Sequence, residues 1–265
     1  MNETLKRGLF GAIFIIIVVG LIFWKPFGVY VLFTLINAMG IYELHKMVYK
    51  NQEKPQLGFS IFSSFVILAL FSFPIFQLKD SILALLLFPL LAIFMVFKGK
   101  NSALKLMGLW AFSLLYVTLP SILGILIGVQ ENNSSLPVLL GLLIMIWSND
   151  TFAYLVGRQF GKRKLLERVS PKKTIEGFIG GLVFCILAGY LCSLSGAFSS
   201  KTGMLLALNM GIMGTMGDLF ESYLKRETGI KDSGKLIPGH GGILDRFDAF
   251  ILALPVSFLI LAYFS

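Results

Sequence analysis

Long apolar runs, separated by short polar and charged segments, dominate the sequence from end to end. A helix needs about 20 mostly apolar residues to cross a hydrocarbon core of about 30 Å. Only helices and closed barrels satisfy every backbone polar group in hydrocarbon, and unbroken rather than alternating apolar runs select helices. The pattern therefore predicts an all-α integral membrane protein with about nine transmembrane helices. The predicted spans are 8–24, 27–45, 58–77, 81–97, 104–128, 136–157, 174–195, 203–221 and 246–264. Pro89 and Pro120 are expected to kink the fourth and fifth of them.

The composition agrees with this pattern and limits the class of partner. The chain is 56% hydrophobic and 14% charged, whereas soluble domains are about 25% charged. In a soluble protein a net charge of +9 would suggest nucleic acid. In a membrane protein the excess follows from basic cytoplasmic loops and from anionic ligands. We therefore expect membrane lipids and anionic ligands, and no nucleic acid, as partners.

The basic residues are distributed unevenly if the predicted spans alternate across the membrane. With the N-terminus in the cytoplasm, 20 of the 23 Lys and Arg residues fall on the cytoplasmic side. Lys25, Lys79 and Lys201 fall outside. By the positive-inside rule, the N-terminus is predicted to be cytoplasmic and the C-terminus outside. This predicts a multi-pass protein of the cell (inner) membrane, with two charge-rich loops facing the cytoplasm.

The chain divides into two parts, because the first part carries only hydropathy and no motif. Residues 1–135 are predicted to be transmembrane scaffold helices, and residues 136–265 to be transmembrane helices that carry the candidate functional residues and the two charged cytoplasmic loops. Glu43 and His45, near the inner end of the second span, are expected to be interfacial residues rather than ligands. Small residues at helical spacing predict close helix packing and make a homodimer plausible. These are Gly177, Gly180, Gly181, Gly211, Gly214 and Gly217.

The most polar stretch, residues 217–248, lies between the last two predicted spans. Clustered Asp residues with interleaved Lys and Arg, beside glycines that let backbone approach a ligand, suit a divalent metal and phosphates. The alternative is a solvated loop with surface ion pairs. Asp245 and Asp248 argue against that alternative, because they adjoin the next apolar run, where an unpaired charge is costly.

A second polar group begins inside the sixth span. Asp150 interrupts an apolar run and is therefore a functional candidate, although a helix–helix hydrogen bond to Asn149 or Tyr154 would also explain it. Downstream, Ser170 followed by proline predicts a helix start with Ser170 as the cap. Lys172 and Lys173 would then oppose the helix dipole in its first turn, which favours a bound anion as their partner.

The segment 222–248 carries a resemblance to a known family. Its elements are Ser222-Tyr-Leu-Lys225-Arg226, Lys231-Asp232-Ser233-Gly234 and Ile237-Pro-Gly-His240-Gly-Gly-Ile-Leu-Asp245-Arg246-Phe-Asp248. In this order they resemble the signature of phosphatidate cytidylyltransferases (CDP-diacylglycerol synthases). The wider resemblance covers roughly the last 120 residues and includes the segment from Asp150 to Gly181. The first 140 residues contribute only hydropathy to it.

The resemblance implies a reaction in which CTP and phosphatidate give CDP-diacylglycerol and pyrophosphate in phospholipid biosynthesis. The lipid phosphate is already ionised near neutral pH, so no Ser, Cys or His nucleophile is required. The reaction instead requires neutralisation and alignment of two anionic reactants. The expected catalytic residues are Asp218, Asp245, Asp248, Lys172 and Lys173, the three aspartates as ligands of Mg²⁺, with a second cation left open. The expected substrate- and cofactor-binding residues are Asp150, Ser170, Lys225, Arg226, Lys231, Asp232, His240 and Arg246.

Two other functions remain open at this point. A nucleotidyl- or phosphotransferase acting on another phospho-lipid or a polyprenyl acceptor would use the same chemistry. An ion-coupled transporter would use Asp150 and Asp218 as cation sites between helices. The gathering of charge in two loops on one side of the membrane argues against the transporter. His240 could contact phosphate or fix its loop, and the sequence does not separate these roles.

Overall fold

The computed structural model describes residues 3–49, 57–72, 103–130, 135–234 and 241–264, and almost all of them are helical. The helices of the N-terminal half are α1 (Glu3–Phe23), α2 (Phe27–Tyr49), α3 (Leu57–Ser72), α4 (Ala103–Ser113) and α5 (Leu119–Val129). Those of the C-terminal half are α6 (Val138–Phe160), α7 (Ile175–Ser193), α8 (Ser200–Glu227) and α9 (Leu244–Phe264). A short antiparallel hairpin, β1 (Lys164–Leu166) and β2 (Ser170–Thr174), joins α6 to α7.

Several of these helices have the length and apolarity of membrane spans. In the part of the chain that the structure describes, six segments qualify, and Gly8–Phe23 and Leu57–Ser72 form shorter apolar helices. Eight of the nine predicted spans coincide with these helices, and the span predicted at 81–97 lies outside the described residues. The chain is therefore a helical, multi-pass membrane protein.

The fifth predicted span contains an irregular turn. A π-helical turn, Leu114–Thr118, connects α4 to α5, and Pro120 stands at the start of α5. Proline lacks an N–H group and its ring crowds the carbonyl four residues earlier, and a π turn relieves that crowding. The irregular backbone thus immediately precedes Pro120, where a kink was predicted, whereas Pro89 lies outside the described residues.

Glycines bring the helices of the C-terminal half together. A side chain at Gly181 would meet the backbone oxygen of Asn149 on α6, and one at Gly217 would come within 3.1 Å of the Cα of Ala249 on α9. The predicted role of these glycines in close packing is confirmed. Because this packing lies within one chain, these glycines no longer argue for a homodimer.

The predicted helix start at Ser170 is wrong. Ser170 pairs with Leu166 and Thr174 pairs with Lys164, so the segment is a strand. The helix begins only at Ile175, where the Thr174 hydroxyl accepts a hydrogen bond from the Gly177 N–H at 3.1 Å. Pairing with β1 keeps the Ser-Pro segment extended, and Thr174 supplies the cap that Ser170 was expected to provide. Lys172 and Lys173 therefore lie on β2, and the hairpin is the one departure from the all-α prediction within the described ranges.

Candidate active site

A cavity of about 1200 Å³ opens among α1, α6, the hairpin, α8 and α9. This volume exceeds that of many small-molecule sites, which are about 300–1,000 Å³. Its lining is charged where the hairpin and the loop before α9 meet, and apolar near Phe14 on α1 and Trp147 on α6. Ten residues proposed from the sequence line it: Asp150, Lys172, Lys173, Asp218, Lys225, Lys231, Asp232, Asp245, Arg246 and Asp248.

The remaining three residues proposed from the sequence are Ser170, Arg226 and His240. Ser170 and Arg226 belong to described segments but not to the lining of this cavity. His240 lies outside the described residues. The structure thus brings together most of the predicted set, including groups more than 90 residues apart in the chain.

Lys173 and Asp218 form an ion pair across the cavity. Lys173 Nζ lies 2.5 Å from Asp218 Oδ2, which joins β2 to the C-terminal half of α8. The Ser222 hydroxyl donates to the other oxygen of Asp218 at 3.3 Å. Both charged side chains remain partly exposed, so an anionic ligand can reach Lys173 and a cation can reach Asp218.

The base of the hairpin is fastened by a carboxylate to which the sequence assigned no role. Glu176 Oε2 accepts hydrogen bonds from the Lys162 N–H at 3.0 Å and the Arg163 N–H at 3.1 Å. The Arg163 guanidinium donates to Glu176 Oε1 at 3.1 Å. These bonds fix the orientation of the hairpin relative to the start of α7 and thereby position Lys173.

Lys225 links α8 to the start of α9. Its Nζ lies 2.5 Å from Glu221 Oε2 and 2.6 Å from Asp245 Oδ1, and its side chain is only 12% exposed. The sequence proposed Lys225 as a phosphate ligand. In this geometry its charge is matched by two carboxylates, and one of its three N–H donors is left for another acceptor.

Lys225→Met is expected to lower the free energy of unfolding by about 3–5 kcal/mol, because it leaves buried carboxylates without their cation. Arg226→Met is the matched control, since Arg226 is the next residue and is exposed. Its effect should stay within about 1 kcal/mol. Denaturant titration of both variants in mixed micelles measures the difference. Equal losses would show that Lys225 does not clasp the two helices.

Asp245 organises the loop that precedes α9. Its Oδ2 accepts hydrogen bonds from the Ser233 N–H at 2.9 Å and the Gly242 N–H at 2.8 Å. Gly241 has a φ of +82°, and a side chain there would collide with the Asp245 carboxylate. The carboxylate of Asp245 is therefore surrounded by donors from its own chain, in addition to Lys225.

Asp248 and Asp218 approach the cavity from adjacent helices. A side chain at Gly217 would lie 3.1 Å from the carbonyl carbon of Asp248, so the backbones of α8 and α9 are in contact at this level. Asp248 is 9% exposed and lines the cavity with Asp218. The C-terminal half of α8 and the start of α9 therefore meet at the cavity.

Asp150 enters the cavity from the middle of α6. The Asn149 side-chain amide lies 3.4 Å from Asp150 Oδ1 and 3.4 Å from the Thr215 hydroxyl on α8. The interhelical contact thus belongs to Asn149, and Asp150 faces the cavity. The functional role of Asp150 stays a prediction.

The oxygen donors around the cavity fit a hard divalent cation by their chemistry. Carboxylates of Asp150, Asp218 and Asp248 line it. Asn149 Oδ1 is buried and lacks a hydrogen-bond partner among the described residues. Within the same ranges, no three His, Cys, Asp or Glu side chains are gathered closely enough to hold a metal ion by themselves. Asp245 already accepts hydrogen bonds from Lys225, Ser233 and Gly242, and the three-aspartate site stays a prediction.

Glu43 has contacts that the sequence did not predict. It is 3% exposed and His45 is fully buried, so both side chains are packed inside the protein. The Glu43 carboxylate contacts the loop before α9 through Ser233, Ile243 and Leu244. The available indication was a carboxylate inside an apolar helix, which requires compensation.

Comparisons with known proteins show the family of this chain. A sequence model described as the cytidylyltransferase family matches residues 5–264. The phosphatidate cytidylyltransferase of Bacillus subtilis (strain 168) is 45% identical over 124 residues, which are 46% of this chain and 46% of the relative. Those of Staphylococcus aureus (strain COL) and Staphylococcus haemolyticus (strain JCSC1435) are 44% and 41% identical, each over 57% of this chain and 58% of the relative.

The matched segments span about half the length of these curated relatives. The family model, in contrast, extends over nearly the whole chain. The chain belongs to the cytidylyltransferase family.

Proposed function

We propose that this protein transfers the cytidylyl group of CTP to phosphatidate, releasing pyrophosphate and making CDP-diacylglycerol for phospholipid synthesis. The observation that carries the proposal is the single cavity into which the signature residues from α6, the hairpin, α8 and α9 converge. Its lining combines cationic and carboxylate groups with an apolar region on α1 and α6, which suits one soluble anionic substrate and one lipid substrate. The names of the similar proteins support the same substrates.

The proposed chemistry requires no covalent intermediate with the protein. A phosphate oxygen of phosphatidate attacks the α-phosphorus of CTP, and a new P–O bond forms there. The bond from the α-phosphorus to the oxygen bridging to the β-phosphate breaks, and pyrophosphate leaves with that electron pair. Lys172, Lys173, Lys231 and Arg246 supply positive charge along the cavity, which offsets the repulsion between the two anions.

We propose Mg²⁺ as the cofactor, with Asp218 and Asp248 as its first ligands and Asp245 as the third predicted ligand. When bound, the ion supplies charge neutralisation at the phosphates. Lys173 holds Asp218 in position from the hairpin, at 2.5 Å. Asp150 and Asn149 are further oxygen donors in the same lining, where the second cation of the sequence prediction would find ligands.

The nucleotide and the lipid acceptor can be tested together on purified protein. We expect lipid-linked product from CTP with phosphatidate, and at least about tenfold less from ATP, GTP or UTP. A polyprenyl phosphate in place of phosphatidate tests the alternative acceptor. Product from the polyprenyl phosphate alone would overturn the assignment of phosphatidate, and product from ATP alone would overturn that of CTP.

We propose further that the cavity opens to the cytoplasm, with the N-terminus inside and the C-terminus outside. The bias of basic residues supports this orientation, and the bacterial relatives support the cell membrane. The inner end of α2 also contacts the loop before α9, as alternating spans require.

Cysteine labelling is expected to show this orientation. A membrane-impermeant thiol reagent should label Ser135→Cys in intact cells, and should label Glu167→Cys, at the tip of the hairpin, only after permeabilisation. Both positions are exposed, and the native Cys185 and Cys192 are buried. Labelling in the opposite order would reverse the proposed topology.

A further inference from the structure

Glu43, near the inner end of α2, reaches a loop some 200 residues later in the chain. Its Oε1 accepts a hydrogen bond from the Ile243 N–H at 2.9 Å, and its Oε2 accepts one from the Leu244 N–H at 2.9 Å. The Ser233 hydroxyl lies 2.8 Å from the same Oε2. Every one of these partners belongs to the segment between α8 and α9 or to the first residue of α9.

The start of α9 depends on the Glu43 carboxylate because the residue at the cap position of α9 has no side-chain hydrogen-bond acceptor. The residue before the helix is Ile243, whose side chain carries no oxygen, whereas helix caps are ordinarily Ser, Thr, Asp or Asn. The free N–H groups of a helix start need acceptors, and an anion there also interacts favourably with the helix dipole. Glu43 supplies both from another part of the chain.

The glycines of the loop leave room for the Glu43 carboxylate. A side chain on Gly234 would collide with Glu43 Oε1 and lie 2.9 Å from its Cδ. A side chain on Gly242 would collide with both carboxylate oxygens of Glu43. Contact with Glu43 thus gives a steric reason for glycine at two positions of the signature, and this reason does not depend on a ligand.

The same contacts continue to the cavity. The Ser233 hydroxyl lies 2.9 Å from Asp245 Oδ2, and Asp245 is in turn bonded to Lys225. Lys231 and Asp232, immediately before Ser233, line the cavity. A displacement of Glu43 would therefore move both the loop and the start of α9, which carries Asp245 and Asp248.

We propose that Glu43 is a positioning residue for the site: it fixes residues 230–234, residues 241–243 and the start of α9 in the arrangement that the reaction requires. This rests on the proposed function for its kinetic consequence, but not for its structural one. It also gives part of the N-terminal half a role in the site, where the sequence predicted only scaffold.

The kinetic test compares Glu43→Gln and Glu43→Ala with a matched control on the same helix. Asn37→Ala removes a buried polar side chain of α2 whose partners, Ser64 and Thr118, are far from the loop. Per folded molecule, kcat should fall on the order of 10- to 100-fold in Glu43→Ala, since small misplacements of reacting groups have effects of this size. Glu43→Gln should fall less, because the amide retains one acceptor. Asn37→Ala should keep its kcat within about twofold, even if its thermal midpoint drops.

A second measurement does not depend on activity. Trypsin should cleave after Lys231 about tenfold faster in Glu43→Ala than in the unmodified protein, because the loop would open locally. Asn37→Ala should be cleaved there at the unmodified rate. Gly234→Ala should also accelerate cleavage when made alone. It should add less in the Glu43→Ala background, where the methyl group no longer meets the carboxylate and only the contact with Gly242 Cα, at 3.1 Å, remains.

The outcomes separate the two claims. If the unmodified protein makes no CDP-diacylglycerol, the proposed function fails, and the cleavage rates still decide whether Glu43 positions the loop. If cleavage after Lys231 is unchanged in Glu43→Ala, the inference is overturned. It is equally overturned if the unmodified protein is active and Glu43→Ala retains its kcat.

Discussion

Asp218→Asn is expected to reduce CDP-diacylglycerol formation by about 10²–10³-fold while leaving the protein folded, which is the size of effect seen when one preorganised electrostatic contact is lost. Asp218 pairs with Lys173 at 2.5 Å and lines the cavity beside Asp248. The amide keeps the shape of the side chain but removes the charge that orients Lys173 and that a divalent cation would use. The measurement is the initial rate of product formation at saturating CTP and phosphatidate.

The control for Asp218→Asn is Glu227→Gln, an exposed carboxylate on the same helix outside the cavity. Its rate should remain within about twofold. Mg²⁺ should also raise the thermal midpoint of the unmodified protein, by mass action on the folded state, and should raise that of Asp218→Asn much less. Near-normal Mg²⁺-dependent activity in Asp218→Asn would show that this carboxylate does not belong to the reacting site.

Lys173→Met is expected to reduce the same rate by about 10²-fold, as removal of one charge-assisted contact to phosphate does. The methionine preserves most of the aliphatic length, so the change isolates the ammonium group. Lys164→Met is the matched control because Lys164 lies on the facing strand of the same hairpin and is exposed to solvent. Its rate should fall less than about threefold, as expected for a screened surface charge.

Lys173 and Asp218 should also show coupled effects. Because each holds the other, the double variant Lys173→Met/Asp218→Asn should lose far less activity than the product of the two single losses. Equal losses in Lys164→Met and Lys173→Met would instead indicate diffuse attraction of anions to the hairpin.

The helical spans could be predicted from the sequence because their determinant is local. A run of about 20 apolar residues is long enough to cross the membrane whatever its neighbours are. The meeting of Asp218 and Asp248 was also predictable, since both flank one loop rich in turn residues. Contacts between residues that flank a single loop can therefore be predicted from the sequence pattern.

Contacts between distant segments were not predictable in this way. Ser170 carries a valid local cap motif, but pairing with Leu166 overrides it. Lys225 resembles a phosphate ligand by type, yet it is held by Glu221 and Asp245 from two helices. Glu43 adjoins no motif, and its partners lie about 200 residues away. In each case the deciding interaction is a tertiary contact, and the residues adjacent in sequence do not reveal the distant partner.

The central claim is that the lipid phosphate attacks the α-phosphorus of CTP. Purified protein should be supplied with phosphatidate, Mg²⁺ and CTP that carries a phosphorus label at either the α or the γ position. We predict that the α label enters the organic phase as CDP-diacylglycerol and that the γ label appears in pyrophosphate in the aqueous phase. Transfer of the γ label to lipid would contradict the account, because it would make the protein a phosphotransferase that uses the same cavity for a different reaction.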